Sequence, residues 1–294
     1  MTTQNNTTRS NPRDNMKRQA QTLFQSIGVT LTLAFSLSAH AGLFGLAKRG
    51  LILLAAINLW ACAGLVPYVK SWKEEVQLHD GRVIVVERLL KLNGYPTLDA
   101  QERAVRSETV TFSLPGSNKR ISWQIEYRDD VPEPNGAGPL LLDVVGGVPY
   151  LATSPAGCIA YNKWGRPNPP YILFKYINDA WQRIALEEFP PELVHANLMS
   201  TPDSRLLQPY YTLEQVKAQM QGRNIADAAK TILREAMPNY GKGCGEMVYN
   251  GNGGWIGKGF FRKQPSSEAC LKYCEQENIS TQYCPCDSIF RGKK

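Results

Sequence analysis

Four segments between residues 68 and 186 show apolar and polar residues in alternation, and each is interrupted by a short run of turn-forming residues. Alternation with a period of two is typical of strands with one buried face, and such turns connect antiparallel neighbours. The turn candidates are Asp80-Gly81, Pro115-Gly116-Ser117-Asn118, Gly146-Gly147 and Asn178-Asp179. Four consecutive hairpins predict an antiparallel β domain over residues 68–190, built as a sandwich, a barrel or a partial propeller.

The pattern changes after the hairpins, where an irregular stretch precedes two predicted helices. The first helix begins with a capping-box pattern at Thr212 and Gln215. Its apolar face would consist of Leu213, Val216 and Met220. A second helix is predicted over residues 224–237, because a proline follows. We therefore expect residues 191–240 to form a helical connector.

Residues 241–294 form a cysteine-rich tail. Its glycine-rich first part, residues 241–261, predicts a hairpin with an Asn-Gly turn. The next part has helix-forming composition, and Ser266 and Ser267 are candidate caps at its start. A β-rich domain followed by short helices and a disulfide-linked tail predicts the α+β fold class.

The first 67 residues predict export or membrane anchoring. From Met16 a basic start precedes an apolar stretch and the small residues Ala39 and Ala41, which is the layout of a secretory signal peptide. Lys48 and Arg49 then precede a second apolar segment that reads as a shorter export signal ending at Cys62. Both apolar segments are also long enough to span a bilayer, so a membrane hairpin is the alternative.

The run Leu59-Trp60-Ala61-Cys62 resembles the lipobox of bacterial lipoproteins, in which the cysteine is lipidated. Trp60 stands where that motif usually has a small residue. The resemblance implies that Cys62 is a lipid anchor and that the rest of the chain is exported. We therefore expect the protein at the periplasmic face of a bacterial membrane.

The charge distribution argues against a nucleic-acid partner. The chain has a formal net charge of +7, but residues 1–61 contain six basic residues and a single acidic one. The remaining residues contain 27 basic and 25 acidic side chains, so they carry almost no excess of positive charge. A domain that binds a polyanion usually shows a concentrated basic surface.

Six cysteines remain when Cys62 is set aside, and five of them lie from residue 244 onward. An even number concentrated in a short tail predicts disulfide bonds in an oxidising compartment, which favours export over the membrane hairpin. The alternative is a zinc site formed by the last four cysteines, whose spacing departs from the usual C-x2-C knuckle. The six are Cys158, Cys244, Cys270, Cys274, Cys284 and Cys286.

The spacing of these cysteines also restricts how they pair. The two cysteines of the predicted helix stand at i and i+4, and the last two flank a proline, so a bond within either pair is geometrically awkward. The economical solution links the helix to the final segment by two disulfides and joins Cys158 to Cys244. Other connectivities stay open.

No catalytic signature stands out, and we expect no cofactor and no metal ion. His79 precedes a hairpin turn and is expected to be exposed, and a nucleophile pair of Cys158 and His195 would lose its thiol to a disulfide. A hydrolase that uses carboxylates needs no local motif, so it is the alternative to a non-enzymatic protein. The carboxylates available for it are Asp143, Glu126 and Glu246.

The segment from Ala160 to Tyr176 contains rigid aromatic and proline residues and predicts an irregular loop between strands. Rigid aromatic side chains on such loops are typical of surfaces that recognise a protein or a glycan. Trp164, Arg166 and Tyr171 are therefore candidate binding residues. The alternative is that the aromatic rings simply cover the β core.

The runs WGRPNPPY and CGEMVYNGNGGWIGKGFF and the closing CLKYC and YCPC elements are the most distinctive parts of the sequence. Through these runs, the chain resembles a family of exported, lipoprotein-like proteins of proteobacteria with no known activity. The resemblance covers residues 51–294. The CLKYC helix also resembles the cysteine-bearing helix of PAN/apple modules. The resemblance implies a location in the cell envelope and supplies no site residue. The function expected is binding of another envelope component, either a protein or a glycan.

Overall fold

The computed structural model describes residues 68–93, 103–203, 205–222 and 226–291. The predicted export region, residues 1–67 with Cys62, lies outside the described residues. The described residues belong to a compact unit that begins at Pro67.

A five-stranded sheet forms the first layer of this unit. Its strands are β1 (Tyr68–Gln77), β2 (Val83–Leu92), β3 (Val105–Ser113), β4 (Arg120–Glu126) and, added later in the chain, β9 (Tyr210–Tyr211). The strand order is β4-β3-β2-β1-β9. The first four strands are antiparallel, whereas β9 pairs parallel with β1.

A four-stranded antiparallel sheet forms the second layer. Its strands are β5 (Ala137–Val145), β6 (Val148–Pro155), β7 (Ile172–Ile177) and β8 (Ala180–Ile184), in that order across the sheet. β7 turns into β8 at Asn178 and Asp179, which both have positive φ angles of 51° and 61°. Two consecutive residues with positive φ make a tight turn whose twist matches that of the flanking strands.

The inner faces of the two sheets share one hydrophobic core. Buried side chains of the first sheet, such as Val86, Phe112 and Trp123, lie in the same cluster as Leu142 and Leu151 of the second. Alternate residues of β4 are buried and exposed without exception, as the sequence pattern requires. The α+β fold with antiparallel sheets is therefore confirmed, and its β part is a two-layer sandwich.

Short helices and a small hairpin complete the described fold. The helices are α1 (Gly157–Lys163), α2 (Leu213–Met220), α3 (Asp227–Lys230), α4 (Lys258–Arg262), α5 (Ser267–Gln276) and α6 (Cys286–Phe290). The hairpin of the tail consists of β10 (Met247–Tyr249) and β11 (Trp255–Gly257). In the part of the chain that the structure describes, no helix has the length and apolar character needed to cross a membrane.

Local signals in the sequence predicted several of these elements correctly. Each of the four turn candidates connects two antiparallel strands. The Thr212 side chain accepts a hydrogen bond from the Gln215 N–H, and the Gln215 side chain bonds back to the Thr212 N–H, so the capping box is present at the start of α2. Ser266 caps α5 by accepting a hydrogen bond from the Ala269 N–H.

Two predictions about local structure were wrong. The long helix predicted over residues 224–237 ends at Lys230, because Thr231 forms a β-bridge with His195 and the Ile232 N–H donates to the Val194 carbonyl. The loop predicted from Ala160 begins inside a helix instead, since α1 continues to Lys163. In the first case tertiary pairing outweighs the local helical preference.

The six cysteines of the described residues form three disulfides. Cys158 of α1 joins Cys244, and the two cysteines of α5 join the final segment through Cys270–Cys286 and Cys274–Cys284. This is the economical pairing that the spacing suggested. The last two bonds lie next to each other in a small core of the tail, which also contains Phe261.

Candidate functional site

One large cleft in the described residues has a volume of about 760 Å³. It lies where the end of the β1–β2 hairpin, strand β5, the segment 192–197 and helix α2 meet. Apolar side chains of α2 and of the 192–197 segment line part of it, with charged groups beside them. Ligand sites in proteins are commonly concave, partly apolar and of this size.

One buried polar group of this cleft is the carboxylate of Asp143 on β5. One oxygen, Oδ1, lies 2.7 Å from Nδ1 of His79 and accepts a hydrogen bond of 2.7 Å from the Val144 N–H. The other oxygen, Oδ2, accepts a hydrogen bond of 2.8 Å from the His79 N–H. The carboxylate is buried, whereas the His79 side chain is 27% exposed. Asp143 therefore fixes both the backbone and the imidazole of His79.

This contact changes the acid–base behaviour of His79. The hydrogen bond that the Asp143 carboxylate accepts from the imidazole raises the pKa of His79 above its ordinary value, and the charges of Asp143, Asp80 and Glu192 act in the same direction. Partial burial of the imidazole opposes the rise. Because Nδ1 is held by Asp143, the other ring nitrogen, Nε2, is the one available to bind a ligand or transfer a proton.

Asn197 holds the two sheets together at the wall of the cleft. Its side-chain N–H groups donate to the Gln77 carbonyl of β1 and to the Leu142 carbonyl of β5, at 3.0 and 2.9 Å. Its side-chain oxygen accepts a hydrogen bond of 2.9 Å from the Leu142 N–H. The Leu140 carbonyl also accepts bonds from residues 197 and 198. The edge of β5 is therefore occupied here, so a ligand would contact side chains rather than add a strand.

Four further ionisable side chains line the same cleft: Glu192, His195, Lys217 and Lys230. Leu141, Leu193, Val216 and Met220 supply the apolar part of the lining. The cleft thus offers both signs of charge around apolar surface. It contains no serine, threonine or cysteine among its described lining residues, so covalent catalysis through such a nucleophile has no candidate there.

A second, shallower groove of about 520 Å³ is rich in aromatic side chains. It is lined by Trp123, Trp164, Phe174 and Trp181, with Glu126, Arg128 and Glu133 among its polar residues. Trp123 and Trp164 are 4% and 8% exposed, so they present little surface to a ligand. Trp181 is half-buried, and its indole N–H donates to the Ser122 carbonyl across the two sheets.

The three residues proposed for binding occupy different environments. Trp164 packs in the sandwich core and lines the aromatic groove. Arg166 lies over the ring of Tyr161 and donates a hydrogen bond of 2.8 Å to the Gly241 carbonyl, so it holds the start of the tail. Tyr171 is buried, and its hydroxyl contacts the backbone around α3. The structure does not bring the three side chains together, and their role in binding stays a prediction.

The carboxylates considered for hydrolysis also lie apart. Asp143 belongs to the large cleft and Glu126 to the aromatic groove. Glu246 forms ion pairs with Lys258 and Arg262 at the surface of the tail. Partial burial raises the pKa of Glu246, but the two cations together outweigh this and hold the pKa below its ordinary value. The second carboxylate in the large cleft is Glu192, which the sequence did not single out.

A buried network of charges lies on the inner face of the first sheet. The Arg88 guanidinium donates to Glu74 at 2.8 Å, to Glu108 and to the Met199 carbonyl, and it stacks on Trp72. Burial raises the pKa of Glu74, and the charge of Arg88 opposes that rise. The network cross-links β1, β2 and β3 but lines neither cleft.

The pair of His79 and Asp143 is the feature that the sequence did not reveal. The two residues are 64 positions apart, and only the folding of β1 and β5 into neighbouring positions brings them together. His79 does lie at the hairpin turn as expected, but its imidazole is held by a buried carboxylate instead of being free. The sequence did contain one signal of this site: Asp143 is a charged residue at an inward position of a predicted strand, and a buried charge needs a partner.

Comparisons of this chain with protein-family models, with curated proteins and with solved structures find no match.

Proposed function

We propose that this chain is a non-enzymatic protein of the bacterial envelope that binds another envelope component, with a protein partner as the leading class. The chain is held at the periplasmic face of the membrane, by a lipid on Cys62 or by the apolar segment that contains it. The partner contacts the large cleft beside α2.

Two observations support the location. The export-like pattern of residues 16–62 directs a chain across a membrane. Three disulfides in the described residues are typical of an oxidising compartment. A lipid anchor at Cys62 would then keep the folded part at the membrane surface.

The large cleft is the observation that carries the binding proposal. Its volume of about 760 Å³ accommodates a short peptide segment or several side chains. Its apolar surface is flanked by Lys217 and Lys230 and by the carboxylate of Glu192. A peptide offers apolar groups and both signs of charge, whereas a polyanion would need a uniformly basic lining. A protein segment is therefore the class of ligand that matches the cleft best.

Site-specific crosslinking in intact cells tests this proposal. A photoreactive amino acid at Met220, inside the cleft, should give a covalent adduct of one defined mass. The same group at Leu271, an exposed residue of α5 in the tail, is the matched control and should give none. Equal labelling from both positions, or no adduct from either, would contradict binding in the cleft.

The location is tested separately by fractionation. The wild-type chain should sediment with membranes, and it should incorporate labelled fatty acid where the anchor is a lipid on Cys62 rather than the apolar segment. A Cys62→Ala variant should lose the label, whereas a Cys158→Ala variant should keep it. A chain that stays in the cytoplasmic fraction with free thiols would contradict export.

The second candidate function is an envelope hydrolase, which the pairing of His79 with Asp143 favours. An imidazole oriented by a buried carboxylate is a common general base, and Glu192 lines the same cleft as a candidate acid. Water would be the nucleophile. Release of soluble fragments from purified cell-wall polymer should then be lost in His79→Asn and Glu192→Gln and retained in Glu246→Gln. No release by the wild-type protein would exclude this activity.

A further inference from the structure

The sulfur atoms of Cys274, Cys284 and Cys286 all lie within 4.8 Å of one another, and Cys270 joins this cluster through its bond to Cys286. Besides the two bonded pairs, Sγ of Cys274 lies 3.7 Å from Sγ of Cys286, and Sγ of Cys284 lies 3.3 Å from the same atom. Cys270, Cys274 and Cys286 are buried, and Cys284 is half-buried. The two disulfides are therefore in contact with each other rather than at separate places in the tail.

We infer that reduction of these two disulfides converts the cluster into a binding site for one zinc ion, with Cys270, Cys274, Cys284 and Cys286 as its ligands. Zinc bound by four thiolates is tetrahedral, and a zinc–sulfur bond of about 2.3 Å places the sulfur atoms about 3.8 Å apart. The contact of 3.7 Å between Cys274 and Cys286 matches that spacing, and the contact of 3.3 Å between Cys284 and Cys286 is shorter than it.

The backbone permits the remaining adjustment. The bonded partners must move apart until their sulfur atoms have the same spacing as the others. The Cα atoms of Cys270 and Cys286 are 5.8 Å apart, and those of Cys274 and Cys284 are 6.0 Å apart. These separations leave room for rotation of the side chains about their Cα–Cβ bonds. Neither α5 nor the final segment has to unfold.

The surroundings of the cluster suit a structural metal site. Cys270 and Cys274 lie one turn apart on α5, so both sulfur atoms face the final segment. Phe261 and Ile279 are buried against the cluster, and Tyr273 and Tyr283 cover it in part. Four thiolate ligands would leave no open coordination position, which is the arrangement of structural rather than catalytic zinc.

The chemical balance requires a reductant. Two equivalents of a dithiol, such as a thiol–disulfide oxidoreductase in its reduced form, each give two electrons and two protons to one disulfide and become disulfides themselves. Four thiols result. Binding of Zn²⁺ then releases up to four protons, and the metal does not change its oxidation state.

This site makes the fold of the tail compatible with either redox state. Disulfides would hold α5 to the final segment in an oxidising compartment, and zinc would hold the same two segments in a reducing one. The third disulfide has no such alternative, because Cys158 and Cys244 belong to no group of three metal-binding side chains among the described residues. The inference concerns the tail alone and does not depend on the proposed partner or location.

Metal binding by the reduced full-length protein tests the inference. The protein is reduced without oxygen by a phosphine, freed of reductant and titrated with Co²⁺, followed by Zn²⁺. We expect one metal ion per chain, a Co²⁺ spectrum typical of tetrahedral thiolate ligation, and displacement of Co²⁺ by Zn²⁺. The oxidised protein should bind none.

Two variants and a second readout make the result decisive. A Cys158→Ser/Cys244→Ser variant should bind one metal ion as the wild type does, and a Cys274→Ser variant should lose stoichiometric binding. Because a folding defect in the variant would also abolish binding, protection is measured on the reduced wild-type chain as well, where Zn²⁺ should slow proteolysis of residues 266–291. Substoichiometric binding, unchanged binding by Cys274→Ser, or a tail that Zn²⁺ does not protect would overturn the inference.

Discussion

The Asp143 carboxylate makes three hydrogen bonds, and two of them hold His79. A buried carboxylate needs such donors, because an unpaired charge in the core would cost several kcal/mol. The geometry therefore couples the protonation of one partly exposed imidazole to one buried acid. The hydrolase candidate depends on this pair for the orientation of the imidazole ring.

Replacement of Asp143 by asparagine should lower the pKa of His79. The variant removes the hydrogen-bonding anion that raises this pKa, while the amide keeps the size of the side chain. NMR titration of the imidazole C–H resonances measures the change. Asp80→Asn is the matched control, and its effect should be smaller because Asp80 bonds mainly to Arg82. An unchanged midpoint in Asp143→Asn would contradict this reading of the pair.

The same contact gives a pH-dependent contribution to stability. The folded-state pKa of His79 is raised, so its contribution is fully present below the unfolded value of about 6.5 and is lost as the pH rises through the folded value. A His79→Gln substitution should therefore lower the free energy of unfolding more at about pH 5 than at about pH 9. Urea unfolding at both pH values measures it. A larger loss of unfolding free energy at about pH 9 than at about pH 5 would contradict the predicted direction of this pH dependence.

Arg88 should be among the least replaceable residues of the first sheet. Arg88→Met leaves Glu74 and Glu108 buried without their cation, which should cost about 3 to 5 kcal/mol of unfolding free energy. Arg120→Met removes an exposed ion pair with Glu87 and should cost at most about 1 kcal/mol. Urea unfolding of the two variants and the wild type measures both losses of unfolding free energy. Equal losses would mean that the buried network adds little.

At the scale of the elements, the sequence was informative wherever the signal is local. The hairpin turns and the capping box of α2 depend on residues within four positions of one another, so they could be predicted. Strand β9 could not, because its two residues pair with β1 far back in the chain. The predicted continuation of α3 to residue 237 was wrong for the same reason, since Thr231 and Ile232 bond to the 194–195 segment.

The tail is attached to the rest of the fold by several hydrogen bonds and one disulfide. Its own core cluster has five buried residues, and three of them are half-cystines. Contacts to the sandwich are mainly polar, such as the Trp255 indole N–H that donates to the Asp129 carbonyl. The Cys158–Cys244 disulfide is therefore the main covalent constraint on the position of the tail.

Removal of that disulfide should loosen the tail and leave the sandwich folded. A Cys158→Ser/Cys244→Ser variant should lose about 2 to 4 kcal/mol, because a long loop in the unfolded chain is no longer closed. Limited proteolysis with mass spectrometry should show cleavage first between residues 241 and 291. Cleavage that begins instead within β1 to β8 would contradict an independently stable sandwich.

At the scale of the whole molecule, the fold was more predictable than the site. Alternation with a period of two specifies which face of each strand is buried, and that suffices for two antiparallel layers. The large cleft combines β1, β5, the 192–197 segment and α2, and no local pattern reports how such distant segments meet. The proposed binding residue Trp164 was chosen for its aromatic character, which core packing also explains.

The redox state of the cysteines in the native protein bears both on export and on the stability of the tail relative to the sandwich. If the chain is exported, alkylation without reduction should label no cysteine of the described residues, because all six are in disulfides. Mild reduction in the presence of a chelator should then make the tail protease-sensitive before the sandwich, since the hydrophobic core of the two sheets contains no half-cystine. Intact-mass and peptide-mapping measurements give both results. Two or more free thiols in the native protein would remove the main support for export, and simultaneous unfolding of tail and sandwich would show that the two are energetically one unit.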